Sequence, residues 1–146
     1  MGIEICDVNV FLYAFRAEAA RHAEYREWLE ARLRAPEPFG VSELALSGFV
    51  RLVTNPRVFQ PPAPLADAFR FTAAVLGGPE TVVLGPGPQH WATFERLCLV
   101  HSLQGADVAD AYFAALAMVY GATWVTADRG FTRFDGLKVR HPLGAW

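Results

Sequence analysis

At 146 residues, 53% of them hydrophobic, the chain has the size and apolar content of one globular domain with a sizeable core. Its apolar stretches are broken by Gly, Pro or charge within about a dozen residues, short of the roughly 20 a membrane helix needs, and Glu4 and Asp7 come too early for a signal peptide. A net charge of −2 and a pI near 6.1 argue against a globally basic nucleic-acid binder, while leaving room for a nuclease whose arginines cluster locally.

Ile3–Cys6 is an apolar run suited to a buried strand, with Asp7 at its carboxyl end and a helix starting at about Asn9. Val10–Phe15 supplies one or two helical turns, and Arg16-Ala17-Glu18-Ala19 is a polar break. From His22 to Arg34, Tyr25, Trp28, Leu29 and Leu33 recur at helical spacing until Pro36 and Pro38. Phe39-Gly40-Val41 is a short extended segment. Ser42 suits the N-cap of a largely apolar helix, Glu43–Val53, with Glu43 in its first turn and Asn55-Pro56 at its stop. A proline-rich connector, Phe59–Pro64, leads into a helix over Leu65–Leu76. Gly77-Gly78-Pro79 then turns into a β-branched strand, Thr81–Leu84. After Gly85–Pro88, with Pro88 suited to a first helical position, Trp91, Phe94, Cys98 and His101 mark another helix. Asp107–Tyr120 is helical, with Asp107 at its N-cap and Gly121 at the left-handed position beyond its end. Thr123–Thr126 is a strand running into Ala127-Asp128-Arg129-Gly130, and Leu137–Arg140 is a last, edge strand before Pro142. Short strands separated by one or two helices predict an α/β fold, a mainly parallel sheet with helices on both faces.

Four acids fall at junctions of this pattern. Asp7 and Asp128 lie just past strand ends; Glu43 and Asp110 lie near the starts of apolar helices. Ligands of open parallel sheets bind beyond the carboxyl ends of the strands, where such positions can converge. Each acid also has an ordinary use. Asp7 can cap a helix, Glu43 can meet a helix dipole, Asp107 and Asp110 have capping-box spacing, and Asp128 can make a turn. Brought together, each like-charged pair at ~4 Å costs about 4 kcal/mol at an effective dielectric of 20. Such a cluster needs raised pKa values or a cation, and Mg²⁺ or Mn²⁺ suit oxygen ligands. No His/Cys spacing suggests zinc. His22, His90, His101 and His141 are scattered and read as structural or surface residues, and Cys6 and Cys98 as buried thiols. Lys138 is the only lysine, so the positive charge is nearly all arginine, which can grip phosphate in bidentate fashion. A carboxylate-held metal can activate water and polarise a phosphoryl group, the chemistry of phosphodiester hydrolysis. A phosphatase with an aspartyl nucleophile is weakened by Asn at position 9 and by a sole lysine in the last strand. Rossmann or P-loop nucleotide binding lacks its Gly-rich loop.

The pieces Cys6-Asp7-Val8-Asn9-Val10-Phe11, Ser42-Glu43-Leu44, Asp110-Ala111-Tyr112-Phe113-Ala114 and Thr126-Ala127-Asp128-Arg129-Gly130-Phe131 stand in an order that resembles the PIN-domain ribonucleases, specifically the VapC-type toxins of bacterial toxin–antitoxin pairs. The run from Arg51 to Phe59 is similar to a subgroup of these toxins, and the likeness spans Ile3 to about Leu143. It implies a PIN-like three-layer αβα sandwich, a single domain over 1–146, and an Mg²⁺- or Mn²⁺-dependent endoribonuclease acting on tRNA or ribosomal RNA. Carried over by position, Asp7, Glu43, Asp110 and Asp128 match the family's metal-site acids. Asp7, Asp110 and Asp128 would be the principal ligands, with Glu43 acting through water or orienting the nucleophile. Asn9 and Thr126 match polar positions lining that site. Gly130 stands where many members carry a further acid, which points to one tightly held ion. The resemblance also implies a small cognate VapB-type antitoxin and a homodimer; a cytoplasmic location is expected from the lack of a signal peptide and of a membrane-length apolar stretch. Exposed apolar side chains on the first two helices would be the dimer's surface signature. Arg16, Arg51, Arg129 and Arg133 lie near the motifs and are candidates to hold RNA phosphates. The reading from a different class is a catalytically silent PIN-like module that binds RNA or protein, against which the intact acid quartet argues.

Overall fold

The computed structural model describes residues 2–146. Five short strands, β1 (Glu4–Cys6), β2 (Phe39–Val41), β3 (Thr81–Val83), β4 (Thr123–Val125) and β5 (Lys138–Arg140), form one sheet in the order β3-β2-β1-β4-β5. Every neighbouring pair is parallel, so the sheet is wholly rather than mainly parallel. Six helices connect them: α1 (Val8–Phe15), α2 (His22–Arg34), α3 (Glu43–Val53), α4 (Leu65–Leu76), α5 (His90–Val100) and α6 (Ala106–Val119). A 3₁₀ turn over Arg129–Arg133 joins β4 to β5. Among the described residues no helix is long and apolar enough to cross a membrane.

The two cores follow from strand alternation. Cys6 points to one face, where Val10, Phe11, Leu29, Phe49, Val53 and Val75 pack from α1 to α4. Ile5 points to the other, where Leu97, Ala114, Leu116, Trp124, Phe131 and Phe134 pack with α5 and α6. The three layers are therefore helices, sheet and helices. Gly40 is required in β2, since a Cβ there would lie 2.7 Å from Leu84 Cδ1 and 2.8 Å from Ile3 Cγ2.

The chain moves outward from β1 to β2 to β3, then returns to place β4 on the other side of β1. That reversal opens a crevice past the carboxyl ends of β1 and β4, the usual ligand position of a parallel sheet. At the opposite, amino-terminal edge, Glu4 binds Arg32 at 2.7 Å and also Arg140.

Four details depart from the sequence reading. α1 begins at Val8, because Asp7 Oδ1 accepts from the Val8 N–H at 2.7 Å and caps it one residue early. Pro88 stands two residues before α5, whose N-cap is Gln89. Asp107 is not the N-cap of α6. Gly105 takes that place at φ 61°, ψ −132°, a conformation cheap only for glycine, and Asp107 falls in the first turn. The exposed large apolar side chains stand on α3, α4, β3 and α5 and in connecting segments, none of them on α1 or α2. The expected dimer signature is thus displaced: α1 and α2 direct their apolar residues into the core.

Candidate active site

Asp7 leaves β1 directly into α1, so its backbone is held at both ends. Its N–H donates to the Val125 carbonyl at 2.9 Å, and the residue is 8% exposed. Oδ1 accepts from Val8, and Oδ2 accepts from Thr126 Oγ1 at 2.7 Å and from Asn9 Nδ2 at 3.4 Å. Asn9 also donates to Thr126 Oγ1 at 3.2 Å and accepts from the Ala127 N–H at 3.2 Å. The Asp128 N–H donates to Thr126 Oγ1 at 3.0 Å. Asn9 and Thr126 therefore lace the ends of β1 and β4 together around Asp7.

Burial pushes the Asp7 carboxyl up to about 6. Its bonds from Thr126 and Val8 oppose that rise, and the charges of Asp110 and Asp128 add to it. Asp110 arrives from the second turn of α6, half-buried; burial raises its pKa as well, against the pull of Arg133. Asp128 is exposed at the end of β4, where its Oδ1 accepts from the Gly130 N–H at 2.8 Å and starts the 3₁₀ turn. Asp7, Asp110 and Asp128 thus meet electrostatically at the switch point. A cavity of about 490 Å³ opens beside them, lined by Asp7, Val8, Ser47, Arg51, Asp110 and Phe113 among others.

Glu43 does not line that cavity. It is exposed and borders an adjoining one of about 450 Å³ between α3 and α4, with Ser47 and Arg51 shared by both. Ser47 was not singled out in the sequence, although it lies one helical turn from Glu43 on the same face. Arg51 lies on the wall of the cavity that Asp7 and Asp110 line. Arg129 is exposed at the start of the 3₁₀ turn. Arg16 is only 13% exposed, pairs with Glu18 at 2.6 Å and covers the Phe59 ring at 4.0 Å. It also ends α1, about 13 Å along the helix from Asp7 at 1.5 Å per residue. Arg133 is held by acids: its Nη2 reaches Asp110 Oδ2 at 3.2 Å and Asp107 Oδ1 at 3.6 Å.

The donor set fits a hard divalent ion, being carboxylate oxygens that repel one another. The arrangement is open: among the described residues no group of three or more His, Cys, Asp or Glu side chains is arranged to hold a metal ion. The histidines are structural. His22 contacts the Tyr13 carbonyl, His90 contacts that of Tyr112, His141 is buried beside Tyr25, and His101 packs on Phe134. Both cysteines are free, Cys6 buried with its thiol pKa raised by burial, Cys98 partly exposed.

Residues 5–137 match the PIN domain family. Ribonuclease VapC43 of Mycobacterium tuberculosis is 46% identical over 137 residues, covering 94% of this chain and 93% of that protein. Ribonuclease VapC25 of the same organism is 37% identical over 140 residues, 95% and 99% of the two chains. Among solved structures, VapBC2 from Rickettsia felis, bound to a DNA fragment from its promoter, superposes with a TM-score of 0.70 at 16% identity over 95% of this chain and 98% of that one. VapC20 of M. tuberculosis, a toxin that cleaves the sarcin–ricin loop, gives 0.66 at 14% identity over 89% and 93%.

Proposed function

We propose that this chain, which belongs to the PIN-domain family and within it to the VapC-type toxins, is a metal-dependent endoribonuclease that hydrolyses RNA phosphodiester bonds. The observation that carries the reading is Asp7: a buried carboxylate, laced to Asn9 and Thr126, pushed up to about 6 and facing the charges of Asp110 and Asp128 at the sheet's switch point. Asp7, Asp110 and Asp128 would hold Mg²⁺ or Mn²⁺, with Glu43 reaching the site through water. When bound, such an ion supplies Lewis-acid stabilisation of a phosphoryl oxygen and lowers the pKa of water. Thr126 and Asn9 fix the Asp7 carboxylate, so its orientation costs nothing at the moment of reaction. Arg51, on the cavity wall and exposed, orients an incoming phosphate. Ser47, one helical turn before it, adds a hydroxyl to the same wall.

The substrate is an RNA, tRNA or ribosomal RNA in class, and the chain acts in the cytoplasm. A VapB-type antitoxin is the proposed partner, supported by the likeness to VapBC complexes. A homodimer would use the exposed apolar side chains of α3 to α5 rather than those of α1 and α2. One observation favours a catalytically silent module instead: Arg133 already neutralises Asp110.

Cleavage of a mixed cellular RNA pool by the purified chain, with Mg²⁺, Mn²⁺ or EDTA and beside Asp110→Asn, separates the two readings. Cleavage that needs both metal and Asp110 supports the nuclease. No cleavage and no metal binding supports the silent module.

A further inference from the structure

Arg133 is held on both sides. Its guanidinium carbon lies 4.4 Å from the centroid of the Phe134 ring, which is itself fully buried. Its Nη1 donates to the Gly130 carbonyl at 2.5 Å. These contacts fold the side chain back over the 3₁₀ turn that Asp128 caps. Gly130 leaves the room for this: a Cβ there would lie 3.2 Å from Arg133 Nη1 and 3.0 Å from Asp128 Oδ1. From that anchored position Nη2 meets Asp110 Oδ2 at 3.2 Å and Asp107 Oδ1 at 3.6 Å. Asp107 and Asp110 are three residues apart on α6, so they share a face and converge on one guanidinium.

Charge explains what this does. Asp7, Asp107, Asp110 and Asp128 bring four negative charges to one sheet edge. Arg133 sits over two of them, Asp107 and Asp110, while among the described residues Asp7 has no cationic partner. A guanidinium cannot lose its proton at any ordinary pH, so this positive charge is permanent. A second divalent ion over the same two carboxylates would have to approach that fixed charge or displace it from Asp110, Asp107, Gly130 and Phe134 at once.

We propose that Arg133 is the site's built-in second cation. It fills the place over Asp107 and Asp110 that a second metal would need and restricts the acid cluster to one divalent ion, organised on Asp7. The proposal rests on the metal site of the preceding section and deepens it. It makes Arg133 a positioning residue rather than a contact to RNA phosphate.

The test is Mn²⁺ binding to the metal-free full chain, followed by calorimetry and by the electron paramagnetic resonance signal of free Mn²⁺, with no RNA present. One ion per chain is expected in the wild type and in Arg129→Gln, an exposed arginine of the same turn that controls for general charge. Arg133→Gln is expected to bind two. The double variant Arg133→Gln/Asp107→Asn is expected to return to one. Unchanged stoichiometry in a folded Arg133→Gln overturns the proposal. So do two ions in the wild type, a result that does not depend on any variant folding. No Mn²⁺ binding to any of these proteins removes the metal site itself, and this role with it.

Discussion

Thr126 and Asp7 join the ends of two adjacent strands across 119 residues of chain, with Thr126 Oγ1 donating to Asp7 Oδ2 at 2.7 Å. The same oxygen accepts from Asn9 Nδ2 and from the Asp128 N–H, so its one proton and two lone pairs are all used. Thr126 is fully buried. Thr126→Val keeps the volume and removes all three bonds, leaving the Asp128 N–H without a partner and Asp7 Oδ2 and Asn9 Nδ2 only their 3.4 Å contact with each other. A loss of about 1–3 kcal/mol in urea unfolding is expected, with RNA cleavage falling along with it. Thr126→Ser should keep most of both. A valine variant as stable and active as the wild type would show that the lacing is dispensable.

Asp7 should make the metal-free fold sensitive to pH in an unusual direction. Its carboxyl rises from an ordinary 3.8 to about 6 on folding, chiefly through burial. The folded state therefore holds this proton more tightly than the unfolded chain. No penalty exists below about pH 3.8; it grows as pH rises towards 6 and is complete above that, roughly 3 kcal/mol. Asp7→Asn has no charge to bury. In EDTA its stability relative to the wild type should climb from pH 4 to pH 7, while RNA cleavage is abolished. A stability difference that stays flat across that range would contradict the raised pKa.

The acids that meet were readable because a parallel sheet sends every strand end to one edge. Asp7 and Asp128, just past apolar runs, had to arrive there, and Asp110 follows from where α6 starts. Glu43 obeys the same rule in the sequence, yet the direction of α3 turns it to the neighbouring cavity. No periodicity reports that rotation. Asp107 reads as a cap by its spacing, but a glycine free to take φ 61° starts the helix earlier. The contact of Arg133 with Asp110 spans 23 residues and depends on a 3₁₀ turn, a geometry with no sequence period to betray it.

Arg51 and Arg16 should behave differently when each is replaced by alanine. Arg51 is exposed on the wall of the acid cavity and forms no ion pair among the described residues. Arg51→Ala should weaken RNA binding and lower the salt slope, by about 0.7 for one phosphate contact on a single strand. Arg16 is committed to Glu18 and the Phe59 ring. Arg16→Ala should leave the slope unchanged and cost about 1 kcal/mol of stability through lost packing and cation–π contact. Fluorescence anisotropy with a labelled RNA across a salt series, beside thermal melts, distinguishes the two.

Glu4 offers a way to weaken the fold without touching the site. It sits at the amino-terminal edge of β1, three residues from Asp7 but on the far side of the sheet. Its carboxylate, 18% exposed, takes Arg32 Nε at 2.7 Å and the Arg140 guanidinium, tying α2 and β5 to the central strand. Removing one member of a buried pair strands the other charge, typically at 3–5 kcal/mol. Here the cost should fall lower, to about 2 kcal/mol. Arg32, 11% exposed, keeps its bonds to the Glu37 and Pro38 carbonyls, and Arg140 reaches solvent at 42%. Glu4→Gln should therefore lower the urea midpoint while leaving Mn²⁺ affinity and RNA cleavage below that midpoint unchanged. Loss of metal binding in a folded Glu4→Gln chain would mean that the two edges of the sheet are coupled through β1, and that Asp7 is positioned by more than Asn9 and Thr126.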